Sequence, residues 1–460
     1  MPTQCNAEQL QFSCVERRQV VAAFDGGMVS SNAGAVLLGR ADEAIGLVDR
    51  LAHCFVDERD PSLIEHTVRT LVGQRVFGLA LGYEDLNDHE QLRHDPVFGA
   101  LLGKLETKRR ADCAALADKS TLNRWELHAR EGVDRYHKIR PDTAAIEGLF
   151  VDLFLDAHRA APDQIVLDLD ATDDPLHGHQ EGRFFHGYYD GYCYLPLYIF
   201  CGEHLLCAKL RRSNIDGAAG AREEVERIIT QICVRRPDTR IILRADSGFC
   251  RDELMGWCEE NSVEYVFGLA RNARLVRAIG APLRAAAAES RHTQQPARRF
   301  KELVYATRKS WSRPRRVVAK AEQTGDKSNP RFVVTSLSMT QWPTRELYEQ
   351  LYCARGEMEN RIKEAQLDLF ADRLSTATFR ANQLRLWLAS AAYVLMHTLR
   401  RVGLKGTALA RACANTIRLR LLKIGAVVTV SVRRVKLAMS EACPNQREFI
   451  SAFHALGAAA

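Results

Sequence analysis

Apolar and polar positions follow two different patterns along this chain, and the change falls near residue 163. Before about residue 150, apolar side chains recur at three- and four-residue steps, which predicts mostly helices joined by short turns. After 163, short runs rich in β-branched and aromatic residues alternate with amphipathic stretches. The predicted strands are 165–170, 194–201, 204–211, 241–246 and 263–269, and helices are predicted at 221–234 and 252–261.

The order of these elements predicts how the strands pair. Short turns between the first three strands favour antiparallel pairing, whereas helical connections to the last two favour parallel pairing. An Ala- and Arg-rich linker follows at 273–298, then three further strands at 300–307, 315–321 and 331–334, then a long helix from 343 past 360. The prediction is an α/β protein: a ribonuclease-H-like mixed sheet core with a β insertion, flanked by helical N-terminal and C-terminal regions.

Charge is concentrated near the end of the chain. The net charge is only +7, but residues 373–440 contain thirteen Lys and Arg and no Asp or Glu. Arg400, Arg401 and Lys405 lie in this acid-free tail (residues 373–440). A segment whose charges are all positive attracts polyanions. A solvated basic helix face is the commoner explanation of such a run. Because no acid nearby balances the tail, we favour contact with nucleic acid.

Cysteine usage and hydropathy indicate the compartment. The thirteen cysteines occur singly and form no CxxC pair, as is typical of reduced core cysteines. The longest apolar run, 386–396, is about half the length of a membrane crossing. The N-terminus has neither a basic start nor an apolar stretch, so no signal peptide is expected. A cytoplasmic protein is predicted.

Carboxylates stand where a two-metal site could form. Asp168 and Asp170 share one face of the first strand, because side chains alternate along a strand. Asp246 ends the fourth strand, which in the inferred order lies beside the first. Carboxylate oxygens from separate elements are what a pair of divalent ions needs for phosphodiester chemistry. The alternative for Asp246 is a turn or helix-capping aspartate.

The long helix supplies a third carboxylate. Tyr352, Arg355 and Glu359 are spaced by three and four residues and therefore occupy one helical face. The alternative is a surface pair between Arg355 and Glu359, which is what such charges usually form. An arginine and a tyrosine beside a carboxylate could also bind phosphate.

These residues form blocks that resemble a known family. The blocks are Asp170-Ala-Thr172, Arg244-Ala-Asp246-Ser-Gly-Phe249 and Tyr352-x2-Arg355-x3-Glu359. They resemble the three catalytic blocks of bacterial insertion-sequence transposases of the DDE class, in the branch with a tyrosine, arginine, glutamate and lysine signature. Residues 178–197 and 361–370 are similar to the thirteen-eighty insertion-sequence family. One position departs: Gln366 stands where the signature has lysine, and Lys363 lies about one turn earlier.

The resemblance implies a complete activity. Asp170, Asp246 and Glu359 would hold Mg²⁺, for which Mn²⁺ would substitute. A homodimer on double-stranded DNA would cut the inverted-repeat ends of a mobile element and join the 3′ ends to target DNA. Tyr352 and Arg355 would contact phosphates, and Arg400, Arg401 and Lys405 are predicted to bind DNA as part of the tail. The alternatives are a nuclease of the same fold that does not join ends, and a catalytically silent DNA-binding protein.

The expected domains follow from these assignments. Residues 1–150 form a helical region for DNA binding or assembly, 151–272 and 341–398 the catalytic core, 273–340 the linker and β insertion, and 399–460 a basic helical region.

Three smaller features have competing explanations. His177, His179 and His186 could suggest zinc, but no fourth ligand stands at a suitable spacing, so exposed turn histidines are favoured. Asp174 is predicted to lie in a turn. Trp311 could stack a base, although packing within the β insertion is favoured.

Overall fold

The chain divides into two compact units in a computed structural model. The structure describes residues 8–105, 114–127, 137–158 and 160–459. One unit comprises Met1–Arg140 and Ala391–Ala460, and the other comprises Pro141–Ser390. The domain boundaries expected from the sequence stay predictions beside this division. Among the described residues, no helix combines the length and apolar character needed to cross a membrane.

The first unit begins with strands as well as the predicted helices. Its N-terminal elements are β1 (Leu10–Val15), β2 (Arg18–Ala22), β3 (Val29–Ser30), α1 (Val36–Ile45), α2 (Leu47–Ala52), β4 (Phe55–Asp57), α3 (Val68–Ala80), α4 (His89–Leu92), α5 (Pro96–Leu101), α6 (Lys119–Glu126) and β5 (Ile139–Pro141), with single 3-10 turns at Ala33–Ala35, Pro61–Leu63 and Leu86–Asp88. Helix α3 is almost entirely buried, and the Thr67 hydroxyl caps it by accepting from the Thr70 amide. A buried ion pair between Arg75 and Glu126, 2.7 Å long, ties α3 to α6.

The second unit contains a mixed sheet flanked by helices. Its elements are α7 (Thr143–Ala157), β6 (Gln164–Ala171), β7 (Asp174–Pro175), β8 (Phe184–His186), β9 (Gly191–Tyr194), β10 (Leu197–Cys201), β11 (His204–Lys209), α8 (Ala221–Arg235), β12 (Arg240–Ala245), a 3-10 turn (Ser247–Phe249), α9 (Asp252–Glu260), β13 (Glu264–Leu269), α10 (Ala273–Ala278), α11 (Gly280–Thr293), β14 (Ala297–Tyr305), β15 (Arg315–Thr324), β16 (Lys327–Ser328), β17 (Arg331–Thr335), α12 (Thr344–Glu346), a π-helical segment (Leu347–Tyr352), a 3-10 segment (Cys353–Arg355), α13 (Gly356–Lys363) and a second π-helical segment (Glu364–Asp368).

The end of the chain returns to the first unit. Helix α14 (Phe379–Thr398) crosses the boundary and is followed by a π-helical segment (Leu399–Gly403), α15 (Ala414–Ile417), a further π-helical segment (Arg418–Leu422), β18 (Ala426–Ser431), β19 (Arg434–Met439) and α16 (Gln446–Gly457). Strand β18 pairs antiparallel with β19 and with β3.

The large sheet has the strand order β11-β10-β6-β12-β13-β17-β15-β14, with β16 beside β15. Strands β6, β10 and β11 pair antiparallel, whereas β6, β12 and β13 pair parallel, so both predicted pairing directions are confirmed. The predicted strand 194–201 is wrong as a single element. It is divided between β9 and β10 around Pro196, which has no backbone N–H to donate to a ladder.

The predicted β insertion extends the sheet. Strand β17 pairs antiparallel with β13, and β15 joins β17 to β14. The predicted linker 273–298 forms α10 and α11 before β14 begins.

Both faces of the sheet are covered, by different elements. Leu167 and Leu169 of β6 pack in a cluster with residues of α7, α8 and α9. Ile242 of β12 and Val266 of β13 belong to a second cluster, together with Leu351 of the π-helical segment. The helical stretch that begins at α12 therefore lies on the face opposite α7, α8 and α9.

Candidate active site

Two aspartates meet at the carboxyl ends of parallel strands. Leu169 of β6 pairs with Ala245 of β12, and Asp170 and Asp246 follow this pair directly. Neighbouring strands lie about 4.8 Å apart. The register therefore brings the two aspartates side by side at the sheet edge, where sites in α/β proteins form.

The Asp168 carboxylate is paired with an arginine. Its carboxylate is buried and accepts two hydrogen bonds from the Arg244 guanidinium, at 2.5 and 2.7 Å. Arg244 also donates to the Leu351 carbonyl at 2.6 Å, which fixes the helical stretch against the sheet. Arg244 was missed as a supporting residue in the sequence, although it directly precedes the Ala245-Asp246 pair.

Asp246 caps the turn that follows β12. Its Oδ1 accepts from the Gly248 amide at 2.8 Å, so the capping role considered from the sequence is present. This hydrogen bond also holds the carboxylate at the end of the strand, next to Asp170.

The predicted long helix is not a regular α-helix throughout. Tyr352 ends a π-helical segment, Arg355 ends a 3-10 segment, and Glu359 lies in α13. The Arg355 guanidinium contacts Glu359 at 2.6 Å and Asp170 at 3.7 Å. The helical Arg–Glu pair considered from the sequence is therefore present, and the same arginine links Glu359 to the strand carboxylate.

The electrostatics of Asp170 reflect this crowding. Burial raises the pKa of Asp170 from 3.8 to about 7, while the charge of Arg355 opposes the rise and those of Asp246 and Glu359 add to it. Burial lowers the pKa of Arg355, but the charges of Asp170 and Glu359 outweigh it, so that pKa is raised. The three carboxylates and the guanidinium thus form one coupled cluster.

The cluster suits a divalent cation in donor type and charge. Asp170, Asp246 and Glu359 provide hard oxygen donors, and a cation relieves the repulsion that helps to raise the pKa of Asp170. Within the described ranges, no group of three or more His, Cys, Asp or Glu side chains stands close enough to hold a metal ion. The Glu359 side chain is 42% exposed and accepts a hydrogen bond from Arg355 at 2.6 Å, so binding of one ion by all three carboxylates would require it to turn toward the two aspartates.

Tyr352 lies over a glycine that the sequence did not single out. A Cβ at Gly268 would stand 2.6 Å from the Tyr352 hydroxyl and 2.9 Å from the Ser247 nitrogen. Burial raises the pKa of Tyr352, and the charge of Asp246 adds to the rise. A polar cavity of about 300 Å³ opens here, lined among others by Ser247, Gly268, Arg271, Arg331, Tyr348 and Tyr352.

The three tail residues differ in exposure. Arg400 is 3% exposed and donates to the Ala412 carbonyl at 3.1 Å, so its predicted contact with DNA phosphates does not match a buried guanidinium. Arg401 is partly buried, and burial lowers its pKa. Lys405 is exposed, as a phosphate contact requires.

The position of the signature lysine has a structural role here. Gln366 donates to the Asp174 carboxylate at 2.8 Å and to the Asp173 carbonyl at 3.2 Å. Asp174 lies in β7 and is buried, so the prediction of a turn aspartate was wrong. Burial raises the pKa of Asp174 well above its usual range.

The remaining candidates have local contacts. The ring of Trp311 packs edge-on against Tyr305 at 5.7 Å and lies under the Arg315 guanidinium, in agreement with packing within the insertion. His179 contacts Arg183 through Nδ1 at 2.9 Å.

Comparison with known proteins gives the family. Residues 12–460 match the family described as transposase DDE domain, group 1. No curated protein matches the chain. Among solved structures, the cryo-EM structure of a piggyBac transposase synaptic complex with hairpin DNA is similar to this chain. The sequence identity is 11% and the TM-score is 0.40, over 84% of this chain and 79% of that chain. This likeness carries no argument about the present chain. Because the family match spans almost the whole sequence, the chain belongs to the DDE transposase family of group 1.

Proposed function

We propose that this protein is an active transposase that cuts DNA at the inverted-repeat ends of a mobile element and joins the resulting 3′ ends to target DNA. The observation that carries the proposal is the meeting of Asp170 and Asp246 at one sheet edge, with Glu359 joined to Asp170 through Arg355. Asp170 and Asp246 lie at the carboxyl ends of adjacent parallel strands, and the Arg355 guanidinium contacts both Asp170 and Glu359. We assign them the catalytic role and the binding of Mg²⁺ or Mn²⁺.

Each residue of the cluster has a distinct task. Divalent ions at such carboxylates polarise phosphoryl oxygens and make water a better nucleophile. Arg355 is cationic and has a planar fork of donors, so it binds a phosphate beside the carboxylates and orients it. Tyr352 provides a hydroxyl at the rim of the cavity described above, and Arg271 and Arg331 in its lining are suited to bind the DNA backbone.

The finer assignments belong to the same proposal. The order β11-β10-β6-β12-β13, with the first three strands antiparallel and the rest parallel, supports a ribonuclease-H-like core. Membership of the thirteen-eighty branch rests on the sequence blocks alone, and so does a homodimer on DNA. The exposed tail residue Lys405, together with Arg401, would bind DNA phosphates, whereas Arg400 supports the fold.

The test is cleavage and joining of DNA that carries the inverted repeats flanking the gene, with Mg²⁺ or Mn²⁺. Asp170→Asn, Asp246→Asn and Glu359→Gln should each abolish cleavage while DNA binding in a gel-shift assay remains. Glu357→Gln is the matched control, because it changes a carboxylate on the same helix. If Glu359→Gln cuts at the normal rate, the assignment is wrong and Glu357 becomes the candidate.

The same assay separates the alternatives. Cutting without joining would identify a nuclease of this fold. Binding of the ends with no cutting in either metal would identify a silent DNA-binding protein.

A further inference from the structure

A hairpin close to Asp170 presents aromatic rings to solvent. Strands β8 and β9 pair in the register Phe184 to Cys193, Phe185 to Tyr192 and His186 to Gly191, with a four-residue turn between them. We call residues 183–194 the aromatic hairpin. It falls within the block 178–197, to which the chemistry above gives no role.

The exposure of these rings is unusual for apolar groups. The fractional exposure is 55% for Phe185, 86% for Tyr188 and 48% for Tyr192. Clustered apolar groups left in water often mark a binding surface. Phe185 and Tyr192 meet edge to face at 5.8 Å, and Tyr188 meets Tyr189 at 5.0 Å, so the rings are held by one another.

Two arginine side chains lie at the aromatic hairpin. The Arg183 guanidinium lies 4.6 Å from the centre of the Tyr192 ring. Arg212 is exposed and reaches Gly182, where a Cβ would stand 3.1 Å from its Nε. Asp190 is the acid in the turn. Rings interleaved with arginines suit a nucleic-acid strand, because bases stack on the rings and phosphates meet the guanidinium groups.

The base of the hairpin is anchored near the carboxylate cluster. Strand β9 pairs with β7, which begins four residues after Asp170. The Tyr194 hydroxyl donates to the Glu181 carbonyl at 2.6 Å, and the Glu181 amide donates to the Ala377 carbonyl at 2.8 Å. Strand β10, which follows the hairpin directly, pairs with β6 so that Tyr198 lies opposite Asp170.

We propose that the aromatic hairpin binds unpaired bases of a DNA strand next to the cut site, by stacking them on Phe185 and Tyr188. This inference rests on the proposed function, since it gives the same site a substrate that is locally single-stranded. A second copy of the chain would need a continuous apolar surface. Here Arg183 lies over the Tyr192 ring and Arg212 is beside the start of the hairpin, so an occupant that has both flat rings and anionic groups, as a DNA strand has, fits this surface.

The test measures binding without cleavage, in buffer lacking divalent ions. The probes are a fluorescein-labelled single-stranded oligodeoxynucleotide of about 12 nucleotides and the duplex of the same sequence. The double variant Phe185→Ala/Tyr188→Ala should bind the single strand about tenfold more weakly or worse, and the duplex almost normally. Phe24→Ala is the matched control, because Phe24 is 96% exposed and lies far away in sequence.

Folding and assembly are checked in parallel. Phe185→Tyr/Tyr188→Phe should restore single-strand binding, because it keeps both rings, and a circular dichroism melt monitors folding. The inference is overturned if the Ala variant binds the single strand like wild type, or loses the same factor for both probes. It is also overturned if sedimentation shows that the variant only dissociates a dimer. Asp170→Asn tests the proposed function separately, since the oligonucleotide affinities do not depend on cleavage.

Discussion

The same Asp→Asn substitution is expected to change the unfolding free energy in opposite directions at two aspartates of one strand. Asp168 is 2% exposed and forms a bidentate pair with Arg244, which also binds the Leu351 carbonyl. Asp168→Asn leaves the guanidinium buried without its counter-charge. Breaking a buried ion pair in this way costs about 3–5 kcal/mol of unfolding free energy.

Asp170→Asn should stabilise the protein at neutral and alkaline pH. A rise in the pKa of Asp170 from 3.8 to about 7 sets a ceiling of about 4 kcal/mol, at 1.36 kcal/mol for each pH unit. Because its folded pKa is raised, ionisation destabilises the fold progressively as pH increases from about 4 to 7. Arg355 loses one carboxylate partner in the variant, so we expect a gain of roughly 1–2 kcal/mol at pH 8 and none near pH 4.

Urea unfolding followed by tryptophan fluorescence at pH 5 and pH 8 measures both effects. Asp163→Asn is the matched control, because Asp163 is exposed and directly precedes β6. A loss below about 1 kcal/mol for Asp168→Asn would refute the buried-pair reasoning. A destabilised Asp170→Asn at pH 8 would refute the assignment of Asp170 to a crowded carboxylate cluster.

Added Mg²⁺ gives the same comparison a second readout. An ion that binds only the folded protein raises stability by about 2.7 kcal/mol at a hundredfold excess over its Kd. The thermal midpoint of wild type should therefore rise with Mg²⁺ and fall on chelation, whereas that of Asp170→Asn should respond little. Equal responses would place the ion elsewhere.

Three further predictions concern other parts of the chain. Asp174→Asn should flatten the dependence of the urea midpoint on pH above about 4, because burial raises the pKa of Asp174 and wild type therefore loses stability as pH rises; parallel curves would contradict this. Gly268→Ala should displace the Tyr352 ring, which slows cleavage and lowers the unfolding free energy by about 1–3 kcal/mol. Single-turnover cleavage and urea unfolding measure these two effects, and normal cleavage would argue against a role for Tyr352. Lys405→Ala should make the slope of log affinity for DNA against log salt shallower by about 0.9. Arg400→Ala should instead lower the thermal midpoint, because Arg400 is buried. An unchanged slope for Lys405→Ala would mean that Lys405 does not contact DNA.

The strands of the core could be predicted because their signal is local. Period-two patterns and short apolar runs located β6, β11, β12 and β13 to within a residue or two, and connection lengths gave the pairing directions. The choice between Asp168 and Asp170 could not be made from the pattern, because both share one strand face. It depends on the register that brings Arg244 beside Asp168, which is a long-range property of the sheet.

Burial of charged residues was the main feature that the sequence did not reveal. Arg400 and Arg418 belong to the acid-free tail but are buried, and both donate to backbone carbonyls. A run of basic residues reports the charge of a segment and not the direction of each side chain. Only the exposed members, such as Lys405 and Arg411, can meet a polyanion at the surface.

One irregular helical stretch contacts the ends of two neighbouring strands. In a 3-10 segment, side chains three residues apart are eclipsed, with a rise of about 2 Å per residue. Tyr352 directly precedes such a segment and Arg355 ends it, so the two side chains lie on the same side of the helical stretch. Tyr352 accordingly lies against the strand end that carries Asp246, while Arg355 contacts Asp170. One helical stretch therefore contacts both neighbouring strand ends, Tyr352 at the end near Asp246 and Arg355 at Asp170, and this explains why a single element can supply groups to both aspartates.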